Sequence, residues 1–90
     1  MNGTYLTPRC RQNDIVIQTI ENEILVYDLQ TKKAFCLNET SASVWQESDG
    51  TKTISGIATE VSRKFGSSVS TAFVYLALTQ FAKEGLLENG

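Results

Sequence analysis

Apolar side chains fall along this chain in two rhythms, changing at Leu37. Before that point they come in short runs: DIVIQTI at residues 14–20, EILVYDL at 23–29 and KAFCL at 33–37. These runs are rich in β-branched, aromatic and aliphatic residues, as strands require. The second and third are joined by the short polar Gln30-Thr31-Lys32, which predicts a hairpin. A type I turn with a bulge would set Leu29 opposite Lys33, Tyr27 opposite Phe35 and Leu25 opposite Leu37, two large apolar pairs on one face. That register places Lys32 where glycine is usual.

After Leu37 the period lengthens to nearly four, and three helices are predicted, each with its own punctuation. The first covers residues 39–48, with Asn38 as N-cap and Asp49-Gly50 as a left-handed stop. The second runs from Ile54 to Phe65, capped by Thr53, ended by Gly66, with Ile54, Ile57, Ala58, Val61 and Phe65 on one stripe and Glu60, Arg63 and Lys64 outside. The third starts near Ser68 or Val69 and reaches Glu84. Gly85 closes it, and Leu86 folds back toward Phe81. Residues 1–12 show no period and read as a flexible arm, anchored at most by Tyr5 or Leu6. Residues 13–90 form the domain. Strands followed by helices predict an α+β fold, a three-stranded antiparallel sheet covered by three helices.

Composition narrows the function. Ninety residues with 41% hydrophobic content and one proline make one small globular domain. No apolar run approaches the roughly 20 residues that span a bilayer, and the first residues lack the order of a secretory signal, so the expected compartment is the cytoplasm. Cys10 and Cys36 are widely spaced, outside any C-x-x-C pair, and are expected to be unlinked thiols. Without histidine, a serine or cysteine nucleophile lacks its commonest base, and no carboxylate pair is spaced for acid–base work. Asp14, Glu21, Glu23 and Asp28 are scattered without a calcium-loop pattern, and no glycine-rich phosphate loop is present. No enzyme, metal or cofactor is expected.

Leu37, Asn38, Glu39 and Thr40, followed by Ala42, Val44 and Trp45, resemble the start of the PqqD-like family, named for pyrroloquinoline quinone biosynthesis protein D. The resemblance extends over residues 14–88 through Asp49-Gly50, Thr53-Ile54, Ile57-Ala58, Val74, Leu78, Phe81 and the closing Gly85, Leu86 and Leu87. Gly56 departs from it, standing where relatives carry an acidic residue that would complete a capping box. The resemblance implies a winged-helix-like domain that catalyses nothing. It also implies a recognition element that binds the leader of a ribosomally synthesised, post-translationally modified peptide (RiPP). In that family the leader lies along the edge of the third strand, with the third helix as the other wall of the cleft. The corresponding positions are Lys33, Ala34, Phe35, Cys36 and Leu37 on the strand, and Val69, Ala72, Phe73, Tyr75, Leu76, Thr79, Gln80 and Lys83 on the helix. The partners implied are a precursor peptide and a modifying enzyme: a leader peptidase or cyclase in the lasso peptide setting, or a radical S-adenosylmethionine (SAM) protein in pyrroloquinoline quinone (PQQ) formation. The lasso setting is the one expected.

The chemistry of these pieces suits that use. An edge strand offers backbone N–H and C=O groups that an extended peptide can satisfy. Val74, Ala77, Leu78 and Phe81 form the core stripe of the third helix, while Val69, Phe73, Tyr75 and Leu76 lie off it, either as deeper core or as a binding surface. Phe35, Leu37 and Trp45 are expected in the core, and Cys36 on the opposite face of its strand. Lys32, Lys33 and Lys83 are either solvated charges or contacts for acidic leader residues. Two rivals belong to other classes. Helices two and three, joined by Gly66-Ser67-Ser68, could form a DNA-binding helix-turn-helix, but the third helix is too poor in cations for phosphate contacts, and neither nucleic acid nor membrane is an expected partner. The same apolar helix surface could also serve a structural adaptor or homodimer.

Overall fold

Three consecutive strands pair antiparallel, β1 (Ile15–Ile20), β2 (Glu23–Asp28) and β3 (Lys33–Leu37), with β2 in the middle and β1 and β3 as the edges among the described residues. Three helices follow, α1 (Glu39–Glu47), α2 (Ile54–Phe65) and α3 (Thr71–Lys83), in a computed structural model that describes residues 6–88. They cover one face of the sheet. Ile24, Val26 and Leu37 meet Val44, Trp45, Ile57, Val61, Val74, Leu78, Phe81 and Leu86 in one buried core, and Trp45 stands edge-on to Phe81 with ring centroids 5.4 Å apart.

Local chemistry explains the helix ends. Asn38, Thr53 and Ser70 cap α1, α2 and α3, each side-chain oxygen accepting the backbone N–H three residues on. Gly66 and Gly85 take the left-handed conformation after α2 and α3. The Leu86 N–H then donates to the Phe81 carbonyl at 2.8 Å and the Gly85 N–H to Ala82 at 3.0 Å, the paired bonds of a Schellman end. α1 ends differently from expectation. Ser48 terminates it, its hydroxyl donating back to the Val44 carbonyl at 2.6 Å, and the left-handed residue, Gly50, comes two positions later.

Three expectations need correction. The β2–β3 register is shifted by one residue: Val26 faces Phe35, Ile24 faces Leu37 and Leu25 faces Cys36, so the loop has four residues, and Leu29 is the first of them instead of the last residue of β2. The cause is Asp28. Its buried carboxylate accepts from Arg11 at 3.0 Å and from the Gln30 N–H at 2.9 Å, and the Lys32 N–H closes the turn on the Asp28 carbonyl at 2.8 Å. That turns Asp28, and with it Val26 and Ile24, to the helix side, leaving Tyr27 and Leu25 outside. Second, α3 begins at Thr71, not at Ser68 or Val69. Val69 is held out of helix because its N–H donates to the Ser62 hydroxyl at 2.8 Å. Third, the expected arm is fixed to the domain from Pro8 to Arg11. Pro8 and Cys10 are buried, Cys10 donates to Ser48 at 2.9 Å and Arg11 to Leu86 at 2.8 Å, while Gly50 donates to Pro8 and Glu88 to Arg9. Tyr5 lies outside the described residues, and Leu6 is exposed.

Lys32 does take the left-handed conformation, with φ +63°. A Cβ there costs about 1–2 kcal/mol, more than glycine's extra chain entropy. Lys32→Gly is therefore expected to raise stability by about 0.5–1 kcal/mol, read from urea denaturation; a loss of stability would contradict the assigned turn.

Two carboxyls couple the fold to pH. The Arg11 guanidinium holds Asp28 below the usual carboxylate range, and the Thr51 hydroxyl and N–H hold Asp49 at about 2. Both folded values are depressed, so the stabilisation is complete above the unfolded carboxylate value of about 3.9 and is lost as pH falls through the folded values. The melting temperature should thus drop between about pH 4 and 2. Asp28→Asn should lower it at pH 7 and flatten that decline; an unchanged slope would remove Asp28 from the account.

Candidate peptide-binding site

β3 is an edge strand because the chain leaves it at once for α1. Leu37 ends the strand and Asn38 already caps the helix, and among the described residues no strand pairs with its outer side. Its side chains alternate: Lys33, Phe35 and Leu37 point to the helix side, opposite Asp28, Val26 and Ile24 of β2, while Ala34 and Cys36 point away. Leu37 is buried, Phe35 half-buried, and the Cys36 thiol exposed and unlinked. Cys10 is also unlinked, and burial pushes its thiol up to about 12, which makes it unreactive.

α3 stands off from this edge. No Cα of β3 comes within 8 Å of a Cα of α3, and the two are bridged at one end by Lys33 Nζ and Glu84 Oε1, 3.9 Å apart. That bridge identifies the flank of α3 turned toward β3. Phe73, Ala77, Gln80 and Glu84 follow one another at i, i+4, i+7 and i+11, and therefore share the flank to which Glu84 belongs. Phe73 and Ala77 are half-buried against the core and Gln80 is exposed. Leu76, 66% exposed, forms the outer lip beside them, with Ala72, Thr79 and Lys83 along the exposed back of the helix.

The thirteen residues singled out in the sequence thus separate into groups. Lys33, Ala34, Phe35, Cys36 and Leu37 lie together on the edge. Phe73, Gln80 and Leu76 face or rim the gap opposite them. Ala72, Thr79 and Lys83 lie further round, and Tyr75 sits on the far flank of α3 from the Glu84 row. Val69 precedes the helix, packed against the core. Ala77 and Glu84 were not among the residues singled out, though both line the gap. The signal for them was the i, i+4, i+7, i+11 row through Phe73, masked because Ala77 also serves the core stripe.

The sheet has a second exposed apolar surface. On its outer face Val16 and Ile20 of β1, Leu25 and Tyr27 of β2 and Ala34 and Cys36 of β3 form a patch without helical cover. Val16 is 51% and Ile20 56% exposed. No group of three or more metal-ligating side chains occurs among the described residues, and none of their helices is long and apolar enough to cross a membrane.

The sequence profile of the family described as coenzyme PQQ synthesis protein D (PqqD) matches residues 23–87, from the start of β2 to the residue after Leu86. The chain belongs to the PqqD family. Two solved structures share the fold of this PqqD-family chain. TbiB1 in complex with the TbiA(beta) leader peptide superposes with a TM-score of 0.74 at 22% identity, over 91% of this chain and 96% of the other. Lasso peptide synthetase B1 complexed with the leader peptide gives 0.72 at 15% identity, over 90% and 96%. No curated protein sequence matches the chain.

Proposed function

We propose that this PqqD-family chain is a RiPP leader-recognition domain that holds a precursor's leader as a fourth strand along β3 and presents the rest of the precursor to a modifying enzyme. The observation that carries this reading is the unpaired β3 edge facing the Phe73–Ala77–Gln80 flank of α3 across a gap. A strand added about 4.8 Å from β3 would satisfy that edge, and its alternate side chains would point toward Phe35 and Phe73 on one side and past Ala34 and Cys36 on the other. Lys33, Ala34, Phe35, Cys36 and Leu37 would supply the backbone. Phe73, Leu76, Ala77 and Gln80 would select side chains, and Lys33 and Glu84 would bound one end. The leader-bound states of TbiB1 and of lasso peptide synthetase B1 support the reading, and the second of these favours a lasso pathway, with a leader peptidase and cyclase as partners, over a radical SAM enzyme of PQQ formation.

Presentation requires a second surface, and the uncovered outer face of the sheet supplies one. A bound leader would extend that face by one strand, so an enzyme docking there would touch this chain and the leader together. The chain's role in this scheme is binding in the cytoplasm, with catalysis left to the partner. DNA recognition is disfavoured by the outward side of α3, where Ala72, Tyr75, Leu76, Thr79 and Gln80 are joined by one cation, Lys83.

The test is fluorescence anisotropy with labelled synthetic peptides from short reading frames beside the gene, and with labelled duplex DNA as comparison. Saturable peptide binding that changes little with salt is expected. DNA binding that falls steeply with salt, with no peptide bound, would contradict the proposal.

A further inference from the structure

β1 is the other edge of the sheet, and among the described residues it lacks the devices that protect such edges. Its six residues, IVIQTI, include no charge and no proline. Its pairing with β2 runs unbroken from Ile15 opposite Asp28 to Ile20 opposite Glu23, and no helix Cα lies within 8 Å of it. Native sheets blunt their edges with lysine, proline, a bulge or a covering element. β3 by contrast opens on Lys33 and has α3 across from it. Apolar side chains on both sides of β1 are also uncovered: Val16 and Ile20 on the outer face, and Ile17, 43% exposed, on the helix side. Two open cavities of about 320 and 240 Å³ share Ile24 and Gln46 along that helix side, the first reaching Ile15 and Ile17 and the second Thr19.

We propose that β1 pairs antiparallel with β1 of a second copy, joining two domains into one six-stranded sheet. The edge is self-complementary in one register. A two-fold axis normal to the sheet keeps both helical layers on the same side, and so brings residues of like parity opposite one another. With the axis at Gln18, Val16 faces the copy's Ile20 twice on the outer face and Ile17 faces the copy's Thr19 twice on the helix side, closing exposed apolar surface against itself. The paired residues Ile15–Ile20 carry no charge, so no like charges are set opposite one another within the strand. With the axis at Ile17 instead, Ile20 would face Asp14 and Val16 would face Gln18, and the complementarity is lost. A six-residue edge covers less than the roughly 800 Å² per partner of a standard stable interface, so the dimer is reversible at ordinary concentrations. Both β3 edges lie at the far ends of the joined sheet. The inference does not depend on the peptide-binding reading.

Sedimentation of the whole chain without any peptide tests it. The weight-average mass should rise from the 9.9 kDa monomer toward twice that value between about 10 µM and 1 mM. Gln18 is exposed and faces its own copy across the axis, which permits a decisive pair of variants. Gln18→Lys and Gln18→Glu should each stay monomeric alone, by like-charge repulsion, and associate again when mixed in equal amounts. A monomer mass at every concentration would overturn the proposal, leaving the edge to some other protein. So would association of the native chain that the mixed variants fail to recover.

Discussion

Replacing Leu76 by glutamate is expected to abolish leader binding while leaving the domain folded. Leu76 is 66% exposed on α3, outside the stripe of Val74, Leu78 and Phe81 that holds the helix to the core, so a carboxylate there stays in water in the free protein. In the complex it would stand at the lip of the gap to β3, where an apolar leader side chain is to be buried. Losing that burial costs about 1.5–3 kcal/mol, and desolvating a charge adds to it, so affinity should fall at least about 30-fold. Circular dichroism and peptide anisotropy read the two halves separately. Tyr75→Glu, one residue away but on the far flank, should retain most of the affinity. Equal losses at both positions would mean that α3 presents a different face to the peptide.

Phe81→Glu should instead unfold the domain. Phe81 is 3% exposed and packs edge-on against Trp45, itself buried where α1 meets α3. Removing the ring costs about 3–5 kcal/mol by the behaviour of large-to-small core changes, and burying an unpaired carboxylate adds several more. A domain of 90 residues has a total stability of roughly 5–13 kcal/mol, so the sum removes most or all of it. Trp45 is the only tryptophan, and its fluorescence should shift to that of a solvated indole. A native spectrum for Phe81→Glu would remove Phe81 from the core. Phe81→Leu, which keeps apolar volume, should fold with a lowered melting temperature.

Much of this architecture is legible in the sequence because its punctuation is local. Asn38, Thr53, Gly66 and Gly85 act on the residues beside them, and each does in the fold what its chemistry predicts. The β2–β3 register was not legible. β2 carries apolar residues on both faces, Ile24 and Val26 on one and Leu25 and Tyr27 on the other, so periodicity could not choose between them. The choice falls to Asp28, through an ion pair with Arg11 seventeen positions earlier in the chain. The same holds for residues 8–11, which lack any period because single backbone bonds to Ser48, Gly50, Leu86 and Glu88 fix them, not an amphipathic face. At the candidate site, β3 and the apolar surplus of α3 could be read directly. Which flank of α3 turns to the strand could not, since Phe73 and Tyr75 look alike in sequence and only the Lys33–Glu84 bridge separates them.

The central claim is that the unpaired edge of β3 receives an extended peptide opposite α3. An amide NMR titration with candidate leader peptides tests it most directly. The account predicts that shifts concentrate at Lys33–Leu37 and at Phe73, Leu76, Ala77 and Gln80, with newly slowed exchange of alternate β3 N–H groups as they pair. Shifts along α2 and the outward residues of α3 with β3 unmoved, or no shifts with any leader, would contradict it.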